Sequence, residues 1–550
     1  MKRLLVLLFL LVLCISPASG FVLAEFCPDG YAAGDGDEYL ILEGSGSLSG
    51  WTVFDGEGSL TFPAGAVSSG RVVVARSAEA FFAIHGTLPD YEILESSAVK
   101  NVLQTGRFQM ANTGDDLSLL HLGEVIQTVS WPGELSSSNG RVHVYTDGVW
   151  DDRIYKIGQS RFSPETFTAD SVTLFVSPDS SYEAVSGVIR EASETLLISM
   201  YEFTHADIAR EIADAAKRGV DVTLLLEGGP VGGISDEEKG VMDYLAGRGV
   251  SILTIESEGS IPARYRYLHA KYLVADGYST VILSENFKPS GIPLPGTRGN
   301  RGWGAVIRDE ETAEYFAEVF AADLGGIDMY PYVPGDEPLP APWSDEKIVP
   351  HFAGMTLYDV SITPVISPDT SSLVFDLIRS AHRTVDLQQA YISPYQDGEN
   401  IWMAAVLGAA DRGASVRVML DGMYYNTADD ADNDELAAAL NRYGGDVSAR
   451  LLLPGAHLTK LHNKGMIVDG EHVLISSINW NFNSPNNNRE AGVIIHSREA
   501  AGYYTAVFSA DWNGEYEKDP VSAGLGFDLR LLLAGGIVIL LIGIVIRRRR

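Results

Sequence analysis

Short apolar runs separated by Gly, Ser and Asp fill residues 25–150, as in EYLILEG, GWTVFDG and GRVVVAR. Strands of this length between frequent turn residues predict an all-β sandwich. The pattern changes near residue 170. TLLISMYEF (195–203) reads as a buried strand, and residues 205–218 place Ile208 and Ile212 on one helical face. VDVTLLLE (220–227) is again a strand, followed by a helix near 237–248 and the strand SILTIE. Strands alternating with helices of this length predict an α/β fold, a mixed or parallel sheet with helices on both faces.

This α/β pattern occurs twice. SPDSSYEAVSGVIREASETLLISMYEF begins at Ser177, and SPDTSSLVFDLIRSAHRTVDLQQAYIS begins at Ser367. IADAAKRGVDVTLLLEG (212–228) is answered by LGAADRGASVRVMLDG (407–422). The period is too long for a solenoid, so the expected organisation is a duplicated domain with halves at 171–329 and 351–518. Between them, residues 330–350 contain YPYVPGDEPLPAPWSDE, a semi-rigid proline-rich linker.

Both chain ends are apolar. Lys2 and Arg3 precede the stretch Leu4 to Ile15, and SPASG follows, which reads as a signal peptide over 1–24 with cleavage after Gly20 or Ala24. Cys14 would leave with it, and Cys27 alone allows no internal disulfide; an unpaired thiol in an N-terminal loop is expected. At the other end LLLAGGIVILLIGIVI is uncharged and runs into RRRR. It predicts a transmembrane helix over 529–546, roughly 24 Å long at ~1.5 Å per residue, with a basic cytoplasmic tail at 547–550. The expected location is the cell membrane, single-pass, with the rest of the chain outside the cell.

The candidate chemistry lies in two decapeptides, YLHAKYLVAD (267–276) and KLHNKGMIVD (460–469), offset by 193 residues. On a strand, His269 and Lys271 share one face, as do His462 and Lys464. Asp276 and Asp469 follow five residues after each lysine. The next strands carry Ser284 with Asn286, in TVILSEN, and Ser477 with Asn479, in VLISSIN. Lysine, hydroxyl and amide donors can hold the non-bridging oxygens of a phosphate. A neutral histidine can attack phosphorus, and a protonated one can give a proton to the leaving oxygen. Two copies about a pseudo-twofold axis put two histidines on opposite sides of one phosphorus. No metal or cofactor is called for, because the lysines supply positive charge. A single His-x-Lys is ordinary strand decoration; two copies with the same spacing over eighteen residues leave only a degenerate enzyme as the bland alternative.

H-x-K, D five residues after the lysine, then S-x-N resembles the phospholipase D superfamily over roughly residues 171–515. The resemblance implies one active site between the halves, a covalent phosphohistidine, and hydrolysis or transfer at phosphodiesters. Leu283 and Ser476 stand where the family usually has glycine. The family's downstream carboxylate is matched by Glu490 in NNNREAGVII, whereas RGNRGWGAVI has Gly302. A carboxylate raises a histidine's pKa, so Glu490 is expected to support His462 as general acid and leave His269 as nucleophile. The same carboxylate could instead orient His462 as the nucleophile. DEYLILEGSGSLSGWTVFDGEGSLTFPAG with MANTGDDLSLLHLGEVIQTVSW is similar to a lamin-tail domain, which implies an immunoglobulin-like fold over 25–150 that binds or positions an unknown ligand.

Tyr201, Glu202, Gln389 and Tyr391 end the first strand of each copy, either lining the pocket or merely closing the strand. NFNSPNNN (481–488) is a candidate rim; GGPVGG (228–233) lacks the lysine of a nucleotide loop and reads as a flexible turn. The net charge of −33 disfavours a nucleic-acid partner, although ARYRY (263–267) and GTRGNRG (296–302) could form a local basic track. The expected function is a membrane-anchored extracellular phosphodiesterase or transphosphatidylase acting on phospholipids. An extracellular nuclease and a non-catalytic surface binding protein are the alternatives.

Overall fold

The computed structural model describes residues 20–131, 138–151, 153–257, 259, 261–395, 398–428 and 432–515. The chain forms two compact units. One comprises residues up to Gln159 with Ser257–Arg264 and Gly326–Asp328; the other comprises Ser160–Glu256, Tyr265–Gly325 and the residues from Met329 onward.

The first unit is built from an 8-stranded and a 5-stranded sheet. Val22–Cys27 and Tyr39–Ser47 pair antiparallel in the larger sheet, and Asp115–His121 and Glu124–Trp131 do so in the smaller. Alternation puts Leu40, Leu42, Leu117 and Leu119 into one core with Phe26 and Trp131. Strand Val22–Cys27 begins ahead of residue 25, and Phe21 and Leu23 belong to the core, so cleavage after Ala24 would cut into this strand. Cys27 is a fully buried strand residue rather than a loop thiol, because its side chain falls on the face packed against Phe81 and Ile84.

The second unit carries one 16-stranded sheet, and its strand order is the duplication made visible. Phe167–Ser177 and Met355–Ser367 pair antiparallel at the centre, with Leu174 opposite Met355. Outward from this seam run Gly299–Arg308, Ser279–Leu283, Tyr272–Ala275, Thr195–Met200, Asp221–Glu227 and Ser251–Ile255 on one side. Glu490–His496, His472–Ser476, Lys464–Val468, Thr384–Gln389, Ser415–Asp421 and Val447–Leu452 mirror them on the other. The last three strands of each series pair in parallel, so the sheet is mixed.

Helix Ala206–Arg218 illustrates how local sequence builds each half. His205 caps its first turn by accepting from Asp207 N, Asp207 opposes the helix dipole, and Gly219 ends it at φ 98°. Its apolar stripe, Ile208, Ala209, Ile212 and Ala213, is buried against Ile198 and Leu224, and burying each isoleucine contributes about 2 kcal/mol. A glutamate at 212 would break this face. Leu273 and Ala275 point into the same core, while Tyr272, on the opposite face just before Leu273, meets Phe316 of helix Glu310–Leu324 at 5.4 Å. Helices therefore cover both faces. The second half has its own core around Val385, Val416 and Met466. The proline-rich linker is strapped to helix Asp236–Ala246, whose Asp243 accepts from Tyr332 Oη and the backbone N–H of Gly335 and Glu337.

Among the described residues no helix is long and apolar enough to cross a membrane. This corrects the expected C-terminal transmembrane helix and the single-pass location drawn from it. Residues 1–19, with most of the expected signal peptide, and 516–550, with segment 529–546 and the arginine tail, lie outside the described residues.

Candidate active site

Neither histidine stands on a regular strand. Strand Tyr272–Ala275 begins after Lys271, and Lys464–Val468 begins after Asn463. A carboxylate diverts the chain just before each histidine. Glu227 Oε2 accepts from Leu268 N at 2.5 Å, and Asp421 Oδ1 accepts from Leu461 N at 2.9 Å. The next backbone donor then crosses to the opposite half: His269 N donates to Arg489 O at 2.8 Å, and His462 N to Arg301 O at 3.0 Å. Both arginines are fully buried. Arg301 pairs with Asp179 and Asp511, and Arg489 with Asp369 and Asp323. Each arginine thus ties its own half to the C-terminal helix of the other, and fixes the carbonyl on which the other half's histidine hangs.

The crossing gathers both histidine–lysine pairs into one cluster. Lys271 Nζ donates to His269 O and Lys464 Nζ to His462 O, each at 2.6 Å, and both lysines are fully buried. Burial lowers Lys271 to about 8 against the pull of Glu490, Glu202 and Glu285, and burial with the nearby Lys271 and Lys460 ammonium groups lowers Lys464 well below the ordinary lysine range despite Glu285. Tyr201 packs edge-on to His269 at 4.7 Å and lies 5.3 Å from Lys271 Nζ; its hydroxyl accepts from Val231 N, which ties GGPVGG to the site.

Glu490 serves the other histidine from the one expected. Its Oε2 lies 2.7 Å from Nδ1 of His269, across the seam, and not beside His462. Ser477, Ser484 and Asn488 also donate to Glu490. Burial pushes this carboxyl up, but His269, Lys271 and Ser477 outweigh it and hold it below the ordinary range. His462 meets a different carboxylate: its Nδ1 is 3.2 Å from Glu285 Oε2, without the alignment of a hydrogen bond. Burial raises Glu285 to about 7 against the pull of Lys464 and the amide of Asn300. Both histidines are kept neutral, His269 by burial despite Glu490, and His462 more strongly by burial and by Lys464, Lys460, Lys271 and His269.

The other expected site residues divide. Ser477 donates to Glu490, and Ser284 accepts from Trp303 N, so both hydroxyls are engaged within the protein. Asn286 donates to Glu202, which also pairs with Lys288. Asn479 is buried with its Oδ1 unbonded. Tyr391 accepts from Asn481, so NFNSPNNN braces Tyr391 and Glu490 rather than forming only a rim. Gln389 is buried with no hydrogen bond to its amide. Asp276 and Asp469 are not brought to the cluster. They sit past the far end of their strands at φ 54° and 56°, and accept the backbone N–H groups of 193–195 and 382–384. Both carboxylates are held below the ordinary range by those bonds, despite burial. They anchor the loops that enter Thr195–Met200 and Thr384–Gln389.

Sequence reasoning missed Glu285, Glu227, Asp421, Arg301 and Arg489. Four of these carried a signal, since LLLEG matches VMLDG and GNRG matches NNRE in the repeat. Glu285 did not, because Ile478 occupies the equivalent position. Among the described residues no group of three or more His, Cys, Asp or Glu side chains is placed to hold a metal ion.

Residues 185–324 and 374–512 match the family model described as "Cardiolipin synthase, PLD-like domain". No curated protein matches the chain. Among solved structures, phosphatidylserine synthase of Haemophilus influenzae is 14% identical, with 64% of this chain and 88% of that one covered at a TM-score of 0.44. The phospholipase D family member Nuc of Salmonella typhimurium is 23% identical, covering 31% and 99% at 0.25. NucT of Helicobacter pylori is 19% identical, covering 28% and 95% at 0.24.

Proposed function

The chain belongs to the cardiolipin synthase, phospholipase D-like family, and on that premise we propose that it cleaves or transfers phosphodiesters of phospholipid head groups through a phosphohistidine. One observation carries the reading: two fully buried lysines, one from each half, whose bonded acceptors among the described residues are backbone carbonyls. Buried ammonium groups that repel each other are stabilised by an anion between them, and a phosphodiester is such an anion.

In the first step Nε2 of neutral His269 attacks phosphorus. The P–N bond forms as the bond to the leaving alkoxide breaks; His462, which takes up a second proton on Nε2 as the phosphodiester anion enters beside it, gives that proton to the alkoxide and returns to the neutral ring. In the second step His462 takes a proton from water or an alcohol, whose oxygen displaces His269 and breaks the P–N bond. Glu490, ionised against His269 Nδ1, keeps the lone pair on Nε2. The acidic surface supports lipid over nucleic acid. So does a cavity of about 350 Å³ lined by Ile392, Met403, Leu407 and Leu436, which starts next in the chain to Tyr391.

The test incubates the full chain, with EDTA, with mixed phospholipid vesicles and separately with single- and double-stranded DNA, beside His269→Ala and His462→Ala. Head-group release lost in both variants supports the proposal. DNA cleavage lost in both makes the protein a nuclease, and silence on every substrate favours a binding protein.

A further inference from the structure

Position 302 lacks the carboxylate that its counterpart Glu490 provides. A Cβ at 302 would stand 2.5 Å from Glu285 Cγ and 2.6 Å from its Oε1. The space a side chain at 302 would enter is therefore filled by Glu285, which reaches it from just beyond the neighbouring strand Ser279–Leu283. Gly302 lies within strand Gly299–Arg308 and not at a positive φ, so the backbone does not demand glycine there; the close approach does. The two carboxylates occupy equivalent roles across the pseudo-twofold axis. Glu490, in the second half, faces Nδ1 of His269 in the first; Glu285, in the first, faces Nδ1 of His462 in the second. Both are buried and fixed by amides, Glu490 by Asn488 and Glu285 by Asn300, the residue before each crossing arginine's position or two before the glycine.

We propose that Glu285 is the positioning residue of His462, replacing a carboxylate at 302 from an adjacent strand, and that residue 302 is glycine to admit it. This deepens the phosphodiesterase reading and rests on it. Glu285 does not touch substrate. Its ionised form holds the His462 proton on Nδ1 and sets the ring angle, and the 3.2 Å contact closes to a hydrogen bond as the ring turns, as catalytic contacts commonly tighten with substrate. The charged and titratable groups facing His462 are Glu285, Lys464, Lys460, Lys271 and His269. Those facing Glu285 are His462, Lys464, Lys460 and Lys271.

Two measurements on the full chain test the proposal. The first is the ¹⁵N spectrum of labelled His462 at pH 8.5, assigned by His462→Gln, in the wild type and in Glu285→Gln. The wild type should carry the proton on Nδ1, and Glu285→Gln should lose that preference; the same ring signals in both would overturn the proposal. The second is head-group release from phosphatidylcholine vesicles, whose alkoxide leaving group needs the proton from His462. Glu285→Ala should lower kcat about a hundredfold with KM within about twofold. Gly302→Glu alone should also lower kcat, because it collides with Glu285. Combined with Glu285→Ala, Gly302→Glu should restore kcat at least about tenfold, since the second change fills the space left by the first. A double variant no better than Glu285→Ala would overturn the proposal. Absence of turnover in the wild type would remove the phosphodiesterase reading while the ¹⁵N comparison still decides the role of Glu285.

Discussion

The Glu490 carboxylate lies 2.7 Å from Nδ1 of His269, the histidine of the opposite half. The link explains how a buried histidine can be both neutral and oriented. Burial removes its charge, and the carboxylate fixes which nitrogen keeps the proton.

This asymmetry predicts the order of events at the two histidines. His269→Ala and His462→Ala should each lower turnover of a phosphodiester with an alkoxide leaving group by about 10²–10⁴-fold or more. With p-nitrophenolate, which departs without a proton, His462→Ala should keep far more activity than His269→Ala. Acid-quenched peptide mapping should locate the phosphoryl adduct on His269; an adduct on His462 would reverse the two roles.

The aspartates should behave as anchors. Asp276→Ala strands the N–H groups of Ser193, Glu194 and Thr195, so it should cost about 1–3 kcal/mol of stability. The pH profile of kcat should keep its shape. A profile displaced along the pH axis would return Asp276 to the reacting centre.

Arg489 is held by Asp323 and Asp369 with no exposed surface on any of the three. Arg489→Met leaves two buried carboxylates uncompensated and should destabilise the protein by about 3–5 kcal/mol, read from the midpoint of urea unfolding. Arg417→Met, which frees the partly exposed Asp386 pair, should cost much less.

Burial raises Glu238 to about 7, while it accepts from Phe203 N and is faced by Glu202, Lys288 and Glu227. A raised carboxyl makes the folded state bind more protons than the unfolded one. Its contribution is therefore fully present below about pH 4.5 and is lost as pH rises through about 7. Glu238→Gln, which keeps the acceptor, should remove about 3 kcal/mol of that pH dependence between pH 4.5 and 8, measured by urea midpoints. An unchanged slope would refute the raised carboxyl.

What the sequence made legible was what repeats along the chain. His269 with Lys271 and His462 with Lys464 share spacing and filler type, so the duplication and its α/β pattern were readable in order. Contacts that cross the seam were not. Glu490 lies in the same motif series as His462, and linear proximity assigned it there. The parallel bridge of Leu268 to Arg489 instead turns the first histidine toward it. Gly302 looked like a loss because the compensating Glu285 lies on a different strand connection, where Ile478 offers no match. Strand placement of His269 failed because Glu227 captures the Leu268 N–H before the ladder can begin. Cys27, expected in a loop, continues a strand whose first residues resemble the tail of an export signal.

The mirrored strand order carries a consequence for the history of the chain. Each half holds the carboxylate and the arginine carbonyl that the other half's histidine requires and directs neither at its own, while its helix aspartate secures the other half's arginine. Two identical first halves would set Glu285 beside each His269, and two identical second halves would set Glu490 beside each His462. Either half is thus self-complementary, and the fused gene preserves two distinct solutions to one geometric demand, free to diverge so long as each continues to complete its neighbour.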